Sequence, residues 1–215
     1  MTARALVAEG LGTMLLITAV VGSGIMADRL TSDTALALLA NAAATAAALV
    51  VLITIFGPVS GAQFNPIVTL VIALRRDMPL TLALPYIAAQ IIGGIAGSLV
   101  THAMFDLPLL QISTTIRTGE AQWIAEGVAS FGLLMTILGT VRAQGNVAAM
   151  VGAYIAAAYW FTASTSFANP AVTIARAFTD TFAGIRPTDA PGFIAAQIVG
   201  ALLAMLLGGW LFRKA

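Results

Sequence analysis

The sequence predicts an all-α membrane protein with six transmembrane helices and two re-entrant half-helices, arranged as an inverted 3+3 repeat. Hydrophobic residues make up 60% of the chain and charged residues only 9%, whereas soluble domains carry about 25% charged residues. The 215 residues suffice for about six spans of roughly 20 residues each with their connections. An Asn-Pro pair occurs twice, at Asn65-Pro66 and Asn169-Pro170, and each pair predicts a short helix that begins inside the membrane.

The same composition excludes several classes of function. A net charge of +1 without a basic cluster gives no electrostatic footprint for nucleic acid. The lack of cysteine excludes disulfides and thiolate metal sites. The sequence shows no nucleophile–base set, phosphate loop or metal-ligand cluster, so we expect neither an enzyme nor a cofactor. Arg4 precedes a long apolar run without a small-residue cleavage site, which favours a retained first span over a signal peptide.

The first half of the chain contains three predicted spans separated by polar turns. They lie at about 4–27, 35–56 and 80–101. Gly57-Pro58 is expected to end the second span. The helix that begins near Pro66 meets Arg75-Arg76-Asp77 after about ten residues, or roughly 15 Å, which is half a bilayer. We therefore expect this helix to enter the membrane and return on the same side.

The second half has the same order of elements. Its spans are predicted at about 122–141, 147–162 and 192–212, with the second Asn-Pro element running to about Asp180. Ala8-Glu9-Gly10 in the first span matches Ala125-Glu126-Gly127 in the fourth. The segment IAAQIIG at 87–93 likewise matches IAAQIVG at 194–200.

These matches predict a single transmembrane domain, 1–215, made of two repeats. Repeat one covers about 1–103 and repeat two about 119–215. Because each repeat has an odd number of spans, the second is expected to be upside down relative to the first. Inverted repeats of this kind commonly place a binding site or pathway at their interface.

The Asn-Pro pairs explain why that interface would be polar. Asn is a strong helix N-cap and Pro is well placed at the first helical position. A helix that begins at membrane depth leaves free N–H groups, and the irregular loop before it leaves free carbonyls. Lipid satisfies neither, so both must be buried in protein or line a wet cavity. We therefore expect Asn65 and Asn169 to present side-chain amides to such a cavity.

Loop charges predict the orientation of the chain. With the N-terminus in the cytoplasm, six basic residues fall on the cytoplasmic side, namely Arg4, Arg75, Arg76, Arg142, Arg213 and Lys214. Four fall on the opposite side, namely Arg29, Arg117, Arg176 and Arg186. This bias follows the positive-inside rule, so we expect a multi-pass protein of the cell membrane with both termini in the cytoplasm.

With these landmarks in place, the chain resembles the aquaporin and aquaglyceroporin channels, the major intrinsic proteins. The resemblance is carried by SGAQFNPIVTL at 60–70, FANPAVT at 167–173, the paired Glu9 and Glu126, and the six-span order. The run NPAVTIARAFTDTFAGI at 169–185 is similar to an atypical bacterial branch associated with arsenic-resistance operons. The resemblance implies a passive channel in the lipid bilayer that passes small neutral solutes and water, assembled as a homotetramer.

The resemblance also implies roles for individual residues. The two motifs would comprise Asn65, Pro66, Ile67, Asn169, Pro170 and Ala171. A ladder of pore carbonyls would come from Gly61, Ala62, Gln63, Phe64, Thr165, Ser166 and Phe167. Ile67 replaces an Ala that is usual in the family, and its bulk predicts a tighter or drier midplane, while Gln63 replaces a His that is common there.

Polar residues inside the predicted spans need partners, and two of them have competing interpretations. Glu9 and Glu126 would serve either as proton relays or as acceptors that support the re-entrant loops. Their twofold repetition and the lack of an intramembrane base favour the supporting role. Gln90 and Gln197 are expected to serve similarly as hydrogen-bonding residues. His102, near a span end, is expected to be interfacial.

The selectivity filter departs from the family. The family places filter residues twenty before the first Asn, and twelve before, three before and three after the second. In this sequence those positions are Thr45, Ala157, Ser166 and Val172, without the Arg, His or aromatic residues found in relatives. We therefore expect a wider and less cationic opening. Arg176, one turn beyond Val172, is expected either to place a charge in the outer vestibule or to snorkel to headgroups.

Three functions remain open on this evidence. The first is a passive channel for glycerol-like polyols, urea-like molecules, metalloid hydroxides such as arsenite or methylated arsenicals, and water. The second is a secondary active transporter, since carriers also use inverted repeats and broken helices. The third is a non-conducting adhesion or junction protein. Linear flux favours a channel, ion-gradient-driven saturable uptake favours a carrier, and impermeable liposomes favour adhesion.

Overall fold

The computed structural model describes residues 3–213, so Lys214, one of the charges used for the orientation, lies outside the described residues. This part of the chain is helical throughout its regular structure. The helices are α1 (Ala3–Leu30), α2 (Thr34–Ser60), α3 (Pro66–Leu74), α4 (Ala83–Met104), α5 (Glu120–Arg142), α6 (Val147–Phe161), α7 (Pro170–Arg176) and α8 (Ala190–Leu211). A short 3₁₀ turn, Leu80–Leu82, leads into α4. The predicted all-α membrane fold is confirmed.

Within residues 3–213, five helices are long and apolar enough to cross a membrane, and α6 is a shorter apolar helix of 15 residues. At 1.5 Å per residue α6 measures about 22 Å, against about 30 Å for the hydrocarbon core. The two half-helices are shorter still, with nine residues in α3 and seven in α7. Both lengths agree with helices that enter and return.

The predicted end of the second span was wrong. α2 continues through Gly57 and Pro58 to Ser60. A proline in the last turn removes only one helical hydrogen bond, and the carbonyl it frees belongs to Thr54, a residue that lines the central cavity. The helix ends instead at Gly61, whose left-handed φ of 89° closes a cap in which its N–H donates to the Gly57 carbonyl.

The two halves pack in the same way. α1 lies against α2 and α4, α5 lies against α6 and α8, and α2 and α6 join the halves. At the α1–α4 crossing, a Cβ added to Gly93 would overlap the Gly10 carbonyl, and at the α5–α8 crossing a Cβ on Gly200 would overlap the Gly127 carbonyl. The repeated IAAQIIG and IAAQIVG segments therefore mark two equivalent close helix approaches.

Polar groups lie inside this bundle and large apolar side chains lie outside. Glu9, Glu126, Gln90 and Gln197 are fully buried, while the surface carries exposed leucines, isoleucines and tryptophans such as Trp210. This is the distribution expected where lipid surrounds the protein and a polar feature occupies its interior.

Candidate functional site

The N-termini of the two half-helices meet in the middle of the fold. Asn65 caps α3 by accepting from the Ile67 N–H at 3.1 Å, and Asn169 caps α7 by accepting from the N–H groups of Ala171 at 2.9 Å and Val172 at 3.2 Å. Both caps were expected from the Asn-Pro sequence. In each case the side-chain carbonyl oxygen is the capping atom, so the amide nitrogen is free for another partner.

The side-chain amide nitrogens of Asn65 and Asn169 form hydrogen bonds between the two halves of the protein. Asn65 Nδ2 donates to the Ala168 carbonyl and Asn169 Nδ2 donates to the Phe64 carbonyl, both at 2.8 Å. Each amide group carries two N–H bonds, and both residues line the central cavity. One donor from each asparagine therefore fixes the junction of the half-helices, and the second is available to the cavity.

Glu9 holds the loop that precedes α3. Its carboxylate accepts from the N–H of Gln63 at 3.0 Å and of Phe64 at 2.7 Å, and from the Ser60 hydroxyl at 2.6 Å. Gln90 Nε2 donates to the same carboxylate at 2.8 Å. A carboxylate is suited to this position because it only accepts, and every group around it donates.

Glu126 repeats the arrangement before α7. It accepts from the N–H of Phe167 at 2.8 Å and of Ala168 at 2.9 Å, and from Gln197 Nε2 at 2.6 Å. Neither Glu9 nor Glu126 is among the residues that line the cavity. These contacts favour the loop-supporting role over a proton relay, because a relay has to reach the transported species.

The two loops have an unusual backbone. Several non-glycine residues adopt left-handed φ angles between 47° and 61°, namely Ala62, Phe64, Thr165, Ser166 and Ala168. Such conformations are costly outside glycine, and the buried carboxylates hold them in place. Among the described residues no donor bonds the backbone carbonyls at 61–63 or 165–167, so these oxygens have no hydrogen-bond partner within this part of the protein.

One cavity of about 490 Å³ passes this junction. Asn65 and Asn169 lie on its wall, and Thr54 and Asn146 line the part nearer the 142–146 turn. Most of the remaining wall is aliphatic, including Leu16, Val20, Leu49, Ile53, Val68, Ile72, Leu133, Ile137, Val151 and Ile155. A few fixed polar groups on an apolar wall are typical of a ligand pathway.

Most of the residues predicted to supply the carbonyl ladder lie at this wall. Gly61, Ala62, Gln63, Phe64, Ser166 and Phe167 all line the cavity. Thr165 is not among the lining residues, while Ala168, which the sequence analysis missed, is. Ile67 packs in the hydrophobic core instead of the cavity, so its bulk does not narrow the passage as expected.

Three of the four residues predicted to form the filter lie at the cavity and one does not. Thr45, Ser166 and Val172 line the cavity. Ala157 is exposed on the outside of α6, and Tyr159, two residues on and about 200° around the helix, faces the cavity instead. The Tyr159 hydroxyl lies 3.2 Å from the Thr45 hydroxyl. An aromatic ring is therefore present at this end of the cavity.

Ser166 adds a polar group without a partner. Its hydroxyl is buried and makes no hydrogen bond to the described residues. Buried hydroxyls are normally bonded, so this unpartnered oxygen beside the cavity wall is an exception within the described residues.

Arg176 lines the cavity at the same end. Only 3% of the residue is exposed, so the snorkelling interpretation was wrong. Its Nε donates to the Ala183 carbonyl, and its guanidinium carbon lies 3.4 Å from the centre of the Phe167 ring. Arg117 contacts the same ring at 5.2 Å. Burial lowers the pKa of Arg117, partly offset by the Glu126 charge.

His102 is not interfacial as predicted. It is fully buried, with Nδ1 2.8 Å from the Leu109 carbonyl and Nε2 2.8 Å from the Thr179 hydroxyl. It therefore ties α4 to the 105–119 connection and to the segment after α7. The described residues contain no group of three His, Cys, Asp or Glu that could hold a metal ion.

An all-helical membrane protein whose two half-helices meet tip to tip beside an internal passage belongs to the class of pore-forming channels. The model of the major intrinsic protein family matches residues 1–163, and the chain belongs to this family. The predicted resemblance to aquaporins and aquaglyceroporins is thus confirmed, as is the prediction that the protein is not an enzyme.

Comparisons with individual proteins give the same family. Over 213 residues the chain is 59% identical to the aquaglyceroporin AqpS of Rhizobium meliloti (strain 1021), covering 99% of this chain and 91% of that one. It is 32% identical to a probable TIP-type aquaporin of Medicago truncatula over 80% and 73% of the two chains. The X-ray structure of the aquaglyceroporin from Plasmodium falciparum has the same fold, with a TM-score of 0.74 at 20% identity over 95% and 94% of the chains.

Proposed function

We propose that this protein is a passive channel for small neutral solutes: glycerol-like polyols, metalloid hydroxides such as arsenite or methylated arsenicals, and water. The observation that carries the proposal is the cavity of about 490 Å³ that passes the paired amides of Asn65 and Asn169. Amide donors and loop carbonyls without a partner in the described residues both lie at its wall, so solutes whose hydroxyl groups donate and accept can replace their hydration there.

The composition of the outer end supports solutes bulkier than water. Val172 is a medium-sized neutral residue at the position where the family pattern has its filter Arg, and Thr45 and Ser166 carry hydroxyls. Their polar atoms can bond one face of a solute while the aliphatic wall contacts the other. This combination suits molecules with several hydroxyls and some apolar surface.

Stopped-flow permeability of proteoliposomes to water, glycerol and arsenite is the direct test. We expect glycerol and arsenite flux well above that of empty liposomes, linear in the gradient and independent of sodium or pH gradients. Saturable uptake driven by an ion gradient would establish the carrier alternative instead. Impermeability to all three solutes would favour the non-conducting alternative.

The filter assignment has its own test. Thr45→Phe combined with Val172→Arg adds bulk to the outer end of the cavity and should suppress glycerol and arsenite flux several-fold. Ala157→Phe adds the same ring to an exposed position on α6 and should leave flux unchanged. Equal flux in the wild type and the double variant would remove Thr45 and Val172 from the filter.

The proposed channel function extends to the location, orientation and oligomeric state of the protein. We infer a cell-membrane location with both termini cytoplasmic, based on the six basic residues of the inner side. We also infer a homotetramer with one passage per protomer, based on the family. Mass measurement in a native-like bilayer mimic tests the tetramer, and a monomer there would overturn it.

A further inference from the structure

Arg176 brings a positive charge to the cavity one helical turn beyond Val172. Both residues lie on α7 and both line the cavity, because residues four apart share a helix face. The Arg176 Nε is bonded to the Ala183 carbonyl. No acceptor in residues 3–213 bonds its two other guanidinium nitrogens, so they are available to the passage.

The guanidinium is held in place. Its carbon lies 3.4 Å from the centre of the Phe167 ring, and that ring packs edge-on against Phe193 at 5.1 Å. Arg117 covers the ring as well, at 5.2 Å, and is anchored by a 2.8 Å bond from its Nε to the Gly184 carbonyl. A side chain stacked and bonded in this way cannot swing out of the passage without losing both contacts.

No carboxylate within residues 3–213 forms an ion pair with Arg176. The ion pairs in the described part of the chain are Arg75–Asp77 and Arg186–Asp189, and neither includes Arg176. The carboxylate of Glu126 is already bonded to two loop N–H groups and Gln197. Arg117 adds a second positive charge behind the ring. In a low-dielectric wall a charge without an ion-pair partner acts strongly on ions in the adjacent passage.

We propose that Arg176, backed by Arg117, is the charge-selecting residue of this passage: it excludes cations, including hydronium, at a position separate from the one that sets the width. The inference rests on the proposed channel function. The neutral Val172 leaves the passage wide enough for bulky neutral solutes. Arg176, one helical turn further out, maintains the electrostatic barrier to cations. Loss of the usual filter Arg therefore does not open the channel to cations.

Proteoliposomes that carry Arg176→Gln test this assignment. Potassium and proton flux under a potassium gradient should rise about tenfold over the wild type, while glycerol flux stays the same or increases. Arg29→Gln is the matched control, because Arg29 also donates to a carbonyl, that of Phe105 at 2.9 Å, and lies 5.1 Å from the Phe105 ring, but does not line the cavity. This control should leave both fluxes unchanged.

Two more variants separate charge from structure. Arg176→Lys keeps the charge and should keep cation exclusion. Val172→Arg combined with Arg176→Gln moves the charge one turn inward and should restore cation exclusion while suppressing glycerol flux. If Arg176→Gln does not elute as a folded species, Arg117→Gln replaces it and should raise cation flux by a smaller factor.

The outcomes distinguish this inference from the channel proposal. Glycerol flux in the wild type with unchanged cation flux in the Arg176→Gln and Arg117→Gln variants overturns the role of Arg176 and leaves the channel intact. A wild type that passes no neutral solute overturns the channel proposal itself.

Discussion

Glu9 and Glu126 show how two side chains stabilise an otherwise unfavourable backbone. Each carboxylate is completely buried and receives N–H bonds from two consecutive loop residues, together with a glutamine. Burial of a charge is costly unless several donors surround it. In this fold the same bonds satisfy loop N–H groups that lipid could not, so charge and loop stabilise each other.

Replacement of Glu9 by Gln should therefore destabilise the fold by about 3 kcal/mol, because an amide places N–H donors against donors and removes charge-assisted bonds. Thermal unfolding in detergent should show a clearly lowered midpoint. Glu120→Gln, at an exposed position of α5, is the control and should change little. A midpoint for Glu9→Gln equal to that of the control would contradict the supporting role.

At the level of the helices, the close crossings at Gly93 and Gly200 position the polar residues that support the two loops. At both positions the partner backbone occupies the space that a Cβ would need. This approach brings α1 to α4 and α5 to α8 closely enough for Gln90 and Gln197 to reach the buried carboxylates. Small residues at the crossing therefore set the position of the polar groups behind both loops.

Gly93→Ala and Gly200→Ala should each cost at least about 1–3 kcal/mol in unfolding free energy, because backbone has to move to admit the methyl group. Gly57→Ala is a matched control inside α2, where no atom lies within 4 Å of the added Cβ. That change should be neutral or stabilising by up to about 1 kcal/mol. If Gly57→Ala proves less stable in detergent than the other two variants, the close crossings do not limit the stability of the fold.

The 105–119 connection is fastened to the segment after α7 by Asp189. This carboxylate accepts from the Arg117 N–H and from the Arg186 guanidinium, both at 2.9 Å. Burial raises the pKa of Asp189, but the bonds from Arg186 and Arg117 outweigh burial and hold the pKa below its ordinary value. Arg117, whose ring contact supports the outer end of the cavity, is thus positioned partly by Asp189.

The stabilisation from Asp189 should depend on pH in a defined direction. Because its folded-state pKa is lowered, the contribution is complete above the unfolded value of about 3.9 and is lost as pH falls through the folded pKa. Asp189→Asn should therefore be less stable than the wild type at neutral pH, and the difference should shrink in strong acid. A stability difference that stays constant from pH 7 to pH 2 would contradict the linkage.

The molecule as a whole is arranged with its polar groups inside and its apolar side chains outside, and it contains no cysteine. Its exposed turns alternate between two sides if the helices cross in turn. The turn with Ser32 and the turn with Ala143 should then lie on opposite sides of the membrane, and Arg213 should share the side of Ala143.

Single cysteines placed in this cysteine-free chain test the topology. An impermeant thiol reagent applied to intact cells should label Ser32→Cys, while Ala143→Cys and Arg213→Cys should react only after permeabilisation. All three positions are exposed. The wild-type protein, which has no cysteine, is the unlabelled control. Labelling of Arg213→Cys in intact cells would reverse the proposed orientation.

Most of the fold could be predicted because the signals are local. Long apolar runs, the caps at Asn65 and Asn169 and the matched segments around Glu9 and Glu126 are properties of neighbouring residues, and the helices lie where these signals place them. The end of α2 was wrong by a few residues, because Pro58 is tolerated in a last helical turn. His102 was misplaced because its partners, Leu109 and Thr179, are distant in sequence or lie in a loop without periodicity.

The sequence by itself determined a helical membrane protein with two amide-capped half-helices and two supporting carboxylates, since composition, periodicity and capping act over a few residues. Only the tertiary structure decided which side chains face the passage: Tyr159 in place of Ala157, and Arg176 stacked on Phe167. The reason is geometric. The direction of a side chain depends on the rotation of its helix against its neighbours, and a count of residues from a motif does not contain that rotation.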